Sequence, residues 1–383
     1  MRALENYTLV IPTFNRPLLL GALLRYLESA RAAFPILILD SSSEENRRRN
    51  RAMLAALQLN AKLLEFDEQV NVFAKFNEGL AKVETDYVSV CADDDLVFVD
   101  AIAASVGTLV DRPDYVACHG IYMNFSVVGR VVDLQIEYAG PSIEATDAGD
   151  RIYELLSRYE ALFYAVYRRD FFADVLRRSK QPQAPPLWHF WLWELFAAVL
   201  TAGSGKVKRL ACISNARRAF PDASNSQWHP ASLIVDDSDA FFAEFVRYRR
   251  RLIDYFSEKG VNLGTDPARR LTLAHLAYFV DAFKDGSFIR GRVAEQFPAV
   301  AAARGSSVSS PRDETMPFGA VGRAVLKGLR RLRQNMAASK TKSFRAAAGA
   351  VEFRAPAALH HMMTPEVVDE LSAYCQNLIA PAV

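Results

Sequence analysis

Tyr87-Val88-Ser89-Val90-Cys91-Ala92-Asp93-Asp94-Asp95 is the stretch on which the fold turns. Its first five residues form a short run without polar alternation, which predicts a strand buried on both faces, and the run empties into three adjacent carboxylates. Toward the N-terminus two similar runs precede it. Tyr7-Thr8-Leu9-Val10-Ile11 is stopped by Pro12, and Ile36-Leu37-Ile38-Leu39 ends at Asp40 and the loop Ser41-Ser42-Ser43. Between them Leu18, Leu19, Ala22, Leu23, Tyr26 and Leu27 recur at helical spacing, with Pro17 placed as a first-turn residue. A charged helix over 44–59, a strand over 62–66 and a helix over 71–83 lead back to Tyr87. Helix 100–111 and strand 114–119 extend the pattern. Buried strands alternating with helices predict an α/β fold, a mostly parallel sheet with helices on both faces. Such sheets bind ligands at the carboxyl ends of their strands, where Thr13-Phe14-Asn15-Arg16, Asp40 and the aspartates fall.

Beyond residue 120 the alternation loosens. Residues 121–140 read as one or two antiparallel strands with a loop, 150–159 as a helix, 162–167 as a strand and 187–202 as an unusually aromatic helix. Residues 238–288 read as helical, and 305–313 as a Ser/Gly/Pro-containing linker. The expected division is 1–230 for the sheet domain, 231–304 for a helical region and 305–383 for a basic helical extension. Within the first, the chain divides near residue 120 into two halves.

The chain has 383 residues, 51% hydrophobic and 23% charged, a composition suited to a packed globular core. The formal net charge is only +2, so the overall balance gives no reason to expect a nucleic-acid partner. Cys91, Cys118, Cys212 and Cys375 are scattered and never spaced as C-x-x-C, which argues against a zinc knot or disulfide framework and suits a reducing compartment. Neither a secretory leader nor a run of 18 apolar residues is found, so the expected location is cytoplasmic. Val321, Val325, Leu329 and Leu332 share one helical face amid Arg and Lys. Segment 318–345 therefore reads either as a helix lying on the inner face of a membrane or as a solvated helix packed on the sheet domain.

Three adjacent carboxylates repel one another and persist where something positive compensates them. In extended chain Asp93 and Asp95 share a face, so their oxygens can converge on a hard cation such as Mg²⁺, which takes one or two carboxylates and completes its shell with phosphate and water. A bare D-D-D also reads as a solvated turn capping the helix near Asp100. The preceding buried strand, together with Asp40 at an earlier strand end, favours the cation.

Taken together, Leu9-Val10-Ile11-Pro12-Thr13-Phe14-Asn15-Arg16, then Leu37-Ile38-Leu39-Asp40-Ser41-Ser42, then the run from Tyr87 to Asp95, resemble the family-2-like nucleotide-sugar glycosyltransferases with the Rossmann-like GT-A fold. The segments stand in the family's order and at about its spacing. The resemblance covers 7–120 well and 120–220 loosely, and the C-terminal part lies outside it. It implies that Pro12, Thr13, Asn15 and Arg16 border the nucleotide pocket and that Asp40 hydrogen-bonds the base or ribose. It places Asp93 and Asp94 beside the donor, and it makes Asp95, helped by Asp93, the holder of a Mn²⁺ or Mg²⁺ that bridges the donor diphosphate. Asp40 also has the lesser reading of a helix N-cap or Asx turn, and Arg16 reads equally as a surface charge before Pro17.

The general base is less legible. Trp188-His189-Phe190-Trp191-Leu192-Trp193-Glu194 resembles the acceptor-side region where family members carry an E-D motif, but the pair is absent and Glu194 stands alone. Glu194 is the first candidate and His189 the second, against the plainer reading of an aromatic core stripe. Arg217-Arg218 would lie on a loop closing over the diphosphate. His229 and His119 are further candidates for metal or substrate contact, each also readable as an ordinary histidine. The expected activity is metal-dependent transfer, with inversion, of a sugar from a nucleotide-sugar donor to a glycan, lipid-linked or protein acceptor. A sugar nucleotidyltransferase would carry a Gly-rich loop after the first strand, and Pro12-Thr13-Phe14-Asn15 has no glycine. A non-catalytic sugar-nucleotide or glycan-binding relative is the third reading, and the lack of G-x-G-x-x-G after Ile11 argues against a dehydrogenase.

Overall fold

The computed structural model describes residues 4–179, 190–219, 234, 236–285, 342–345 and 351–379. Strands β1 (Tyr7–Thr13), β2 (Ile36–Asp40), β3 (Ala61–Glu65) and β4 (Tyr87–Val90) lie in the order β3-β2-β1-β4, all parallel. Their side chains alternate between two cores because successive strand residues point to opposite faces. Leu9, Ile11, Ile36 and Ile38 meet α1 (Pro17–Ser29), α2 (Glu44–Ala55) and α4 (Val99–Asp111) on one face. Val10, Leu37, Leu39, Val88 and Val90 meet Phe76 and Leu80 of α3 (Val72–Leu80) on the other. Every residue of β2 and β4 is buried, as runs without polar alternation demand. The expected α/β class, with helices on both faces of the sheet, is thus observed.

Past β4 the sheet becomes mixed. The two-residue β5 (Leu96–Val97) follows the aspartates, and β6 (Tyr115–Val128) forms a hairpin with β7 (Val131–Tyr138), turning through Gly129 at φ +61°. β8 (Val166–Arg168) is antiparallel to both β4 and β6, and β9 (Lys206–Arg218) runs parallel to β6 and antiparallel to β5. Two expectations are corrected here. The strand expected to end at 119 continues to Val128 through register shifts around Gly120. Arg217 and Arg218, expected on a loop, end strand β9, whose basic residues disguised a run that pairing with β6 holds extended.

Gly120 marks the tightest approach of β6 to β9. A Cβ there would sit 2.2 Å from the Cys212 carbonyl oxygen, a backbone atom that cannot turn aside. Gly120→Ala is expected to cost about 3 kcal/mol or more in stability, read from the urea midpoint. A loss below about 1 kcal/mol would mean that the strands part freely.

Helices α5 (Ala148–Ser157), α6 (Arg169–Ser179), α7 (Phe190–Ser204), α8 (Ser238–Glu258) and α9 (Pro267–Asp285) complete the core on the α3 face. Within it the His275 ring touches the Leu271 carbonyl through Nδ1 at 2.6 Å and the Tyr248 hydroxyl through Nε2 at 2.9 Å. A carbonyl only accepts, so Nδ1 carries the hydrogen and Nε2 accepts from Tyr248; the ring is neutral. Burial lowers its pKa to about 4. Because the folded value lies below the unfolded one of about 6.5, this contribution is full above pH 6.5 and is lost as pH falls toward 4. We expect about 3 kcal/mol of acid sensitivity in that window, absent in His275→Gln. Parallel urea-midpoint profiles for the two proteins would contradict this.

The C-terminal residues return to the sheet. β10 (Lys342–Arg345) pairs antiparallel with β11 (Glu352–Ala355), which lies parallel to β7, and α10 (Pro365–Ile379) packs on the α1 face with Leu371, Tyr374 and Cys375 fully buried. The face expected over 321–332 lies outside the described residues, whereas Lys342 to Arg345 is strand. Among the described residues no helix is long and apolar enough to cross a membrane, and all four cysteines are free.

Candidate active site

The carboxyl ends of β1, β2 and β4 carry the expected residues to one edge. After β1 the chain turns at Asn15, whose φ of +56° is one that asparagine tolerates better than most side chains. Its backbone N–H donates to Ser42 Oγ at 2.8 Å, and its Oδ1 accepts from Ser43 N–H and Asn46 Nδ2, both at 2.9 Å. Asn15 thereby ties the β1 loop to the loop after β2. Asp40 is fully buried. Its Oδ1 accepts from Ser42 N–H and its Oδ2 from Asn50 Nδ2, each at 2.8 Å. Lys75 of α3, which sequence reasoning passed over, is buried where the strands end. Its Nζ donates to the Thr13 carbonyl at 3.0 Å and to Ser41 Oγ at 2.9 Å. Burial lowers the Lys75 pKa, while Asp40 and Asp93 oppose that shift.

The aspartates form a turn rather than extended chain, with Asp95 N–H donating to the Ala92 carbonyl at 3.2 Å. Asp94 is set apart from the other two as expected, but Asp93 and Asp95 take partners on different strands rather than on one shared face. Asp93 and Asp95 are 3% and 6% exposed, whereas Asp94 is half-buried. Asp93 looks toward β1, accepting from Thr13 Oγ1 at 2.7 Å and from Arg16 Nη1 at 3.4 Å, and Asp94 takes the same Nη1 at 3.0 Å. Asp95 looks toward β9. It accepts the Arg218 backbone N–H at 2.9 Å and a hydrogen bond from Tyr164. Burial, opposed by Thr13, raises Asp93 to about 6; burial and the Asp94 charge raise Asp95 as well. Both carboxylates are held toward their neutral forms and would ionise more readily beside a cation. Among the described residues, however, no three His, Cys, Asp or Glu side chains gather into a ready metal cage.

Beside this turn opens a cleft of about 670 Å³, open mouth included, floored by Pro12, Val90 and Ala92. Phe73, Phe163 and Trp193 wall it with aromatic surface, and Tyr164, Glu194 and Arg217 bring the polar groups. Arg217 links the two ends. Its guanidinium lies 5.9 Å from the Tyr164 ring centre, and its charge is felt by both Asp95 and Glu194. Burial alone would lower the Arg217 pKa, but Tyr164, Asp95, Tyr138 and Glu194 together raise it, so it stays charged. Glu194 lies on α7 with its Oε1 3.5 Å from the Tyr159 hydroxyl; burial raises its pKa against the opposing pull of Arg217.

The structure thus brings Pro12, Glu194 and Arg217 to one cleft, with Asp93 and Asp95 turned to either side of its edge. Thr13, Asn15, Arg16 and Asp40 stand on the β1–β2 side. His119 is elsewhere, buried on β6, where burial and Arg209 keep its ring neutral. His189 and His229 lie outside the described residues. Tyr164 carried little sequence signal, since its importance comes from meeting Asp95 and Arg217 across the sheet. Lys75 could have been noticed as a lone cation on an otherwise apolar helix face between Phe73 and Phe76.

A parallel sheet whose third crossover ends in a buried acidic turn, beside a cleft holding a carboxylate and an arginine, is the frame of an enzyme that handles nucleotide-linked groups. Residues 8–176 match the family model described as glycosyl transferase family 2. Over that segment the chain is similar to the family, and glycosyltransferase chemistry on a nucleotide sugar is the activity the match supports. Among solved structures, S. aureus TarS residues 1–349 is similar at 13% identity and a TM-score of 0.47, over 76% of this chain and 74% of that one. The mannosyltransferase PcManGT from Pyrobaculum calidifontis, in complex with GDP-Man and Mn²⁺, is similar at 15% identity and a TM-score of 0.43, over 97% and 87% of the two chains. No curated protein matches the chain.

Proposed function

We propose that the protein transfers the donor's sugar to an acceptor hydroxyl in a single inverting displacement, with Glu194 as base and the Asp93–Asp95 turn at the diphosphate end. The observation that carries this reading is the placement of Arg217, whose charge acts on Asp95 and Glu194 at once and so makes the turn and the cleft one site. The acceptor oxygen attacks the anomeric carbon as its proton passes to the Glu194 carboxylate. The bond from that carbon to the diphosphate oxygen breaks, and its electron pair leaves with the nucleoside diphosphate. Arg217 and Arg16 are the cations placed to meet that growing charge, Arg16 by exchanging its contacts with Asp93 and Asp94 for phosphate oxygens. Arg218 offers its backbone N–H to Asp95 and fixes that carboxylate. Asp40, Asn15 and Thr13 shape the base-side loop, and Pro12 belongs to the cleft floor.

Asp95 and Asp93 would hold a Mn²⁺ or Mg²⁺, which as a Lewis acid would stabilise the departing diphosphate. The aromatic walls suit the apolar face of a sugar ring or a lipid-linked group in the acceptor. Membrane contact through 318–345 fits such an acceptor, and an inner-face location would follow.

Purified protein should be incubated with a panel of nucleotide sugars and Mn²⁺, with and without chelator, while nucleoside diphosphate release is followed. We expect slow, chelator-sensitive release from one donor. Pyrophosphate release from a nucleoside triphosphate and a sugar phosphate, or tight donor binding with no turnover in acceptor extracts, would overturn the reading.

A further inference from the structure

Helix α4 begins two residues after β5, directly behind the aspartate turn, and lacks a cap of its own. Its N-cap residue is Phe98, which has no side-chain oxygen to offer the free backbone N–H groups of the first turn. The missing acceptor arrives from about 270 residues away in sequence, on α10. The Glu370 carboxylate lies beside the Val99 backbone N–H, whose pull lowers its pKa against the larger effect of burial. Its Oε2 also lies 2.5 Å from the Tyr26 hydroxyl, which in turn stands 2.8 Å from the Val97 carbonyl oxygen. Glu370 is half-buried, and burial raises its pKa.

Val97 and Val99 belong to the segment that follows the aspartate turn and helps tie it to β9. Leu96 and Val97 pair with Ala216 and Asn215 of β9, Phe98 N–H donates to the Ser214 carbonyl at 3.0 Å, and the next residues of β9 are Arg217 and Arg218. A two-residue strand holds little by itself. Tyr374, one turn along α10 from Glu370, stacks edge-on against Tyr26 at 6.1 Å and Phe125 at 5.9 Å, which fixes α10 in place.

We propose that Glu370 is a positioning residue for the transfer reaction. By capping α4 and latching β5 through Tyr26, it sets the turn that carries Asp93 and Asp95 against Arg217. The C-terminal helix is then part of the catalytic architecture. The link to turnover rests on the reading of the turn as the diphosphate end, but the latch itself does not.

Hydrogen exchange and kinetics on Glu370→Ala and Glu370→Gln test this in the full-length chain. Glutamine keeps an oxygen acceptor for Val99 N–H and a partner for Tyr26, so it should behave within twofold of the parent. Alanine should speed amide exchange over 92–102 about tenfold, with β1 and β2 unchanged, since a lost cap frees the first helical turn. It should also lower kcat for nucleoside diphosphate release about tenfold, with KM within twofold. Unchanged exchange over 92–102 in Glu370→Ala, or glutamine as damaging as alanine, would overturn the proposal. Should alanine loosen the whole fold, Tyr26→Phe removes only the hydroxyl; local loosening over 92–102 then supports the latch and its absence overturns it. Exchange needs no turnover, so a parent protein inactive on every donor would sink the functional reading while leaving Glu370 still decidable.

Discussion

Asp95→Asn is expected to lower nucleoside diphosphate release by about 10²–10³-fold while the fold stays intact. Asparagine has nearly the same shape and keeps an oxygen for the Arg218 N–H, so β9 should hold its place. What disappears is the ionisable oxygen that would hold the cation and interact with Arg217. Burial raises the Asp95 pKa, so the ionised side chain is disfavoured in the folded protein relative to the unfolded chain. Stability from such a group is full below the unfolded value near 3.9 and is lost as pH rises through the folded one. Near neutral pH the asparagine variant should therefore melt at the same temperature as the parent or higher. Activity within tenfold of the parent, or a melting temperature several degrees lower, would show that Asp95 serves packing rather than catalysis.

Glu194→Gln is expected to lower kcat by about 10²–10⁴-fold, the range a positioned general base contributes. Donor affinity should change little, since Glu194 stands on the α7 wall of the cleft whereas the proposed diphosphate end lies at the aspartate turn. A base acts in its deprotonated form. With burial raising its pKa above the ordinary 4.5, activity should fall on the acid side at a pH higher than a solvent-exposed glutamate would give. In Glu194→Gln the residual rate should lose that acid limb. A variant that retains a tenth of the activity, or keeps the parent's acid limb, would move the base elsewhere, and His189 would be the next residue to substitute.

Much of the first half could be read from residues alone. Runs such as Ile36-Leu37-Ile38-Leu39 leave no polar face, so they have to be buried between helices, and Pro12 and Asp40 mark where the strands give out. Reading became harder past residue 120. The strand signal of Lys206–Arg218 is diluted by five basic residues, and only its long pairing with β6 makes it a strand. Glu194 was singled out, but sequence spacing could not say that Arg217 would stand near it.

The sequence by itself determined the parallel half of the sheet and the acidic edge at its strand ends, because local hydrophobic patterning and strand termini are short-range properties. Tertiary structure decided which charges meet. Lys75 with Thr13 and Ser41, Asp95 with Tyr164 and Arg218, and Glu370 with Val99 and Tyr26 are partners 34 to 344 residues apart, with the Asp95–Tyr164 pair 69 apart. No periodicity encodes such meetings. They arise only when packing removes water from both groups and leaves each the other's available partner.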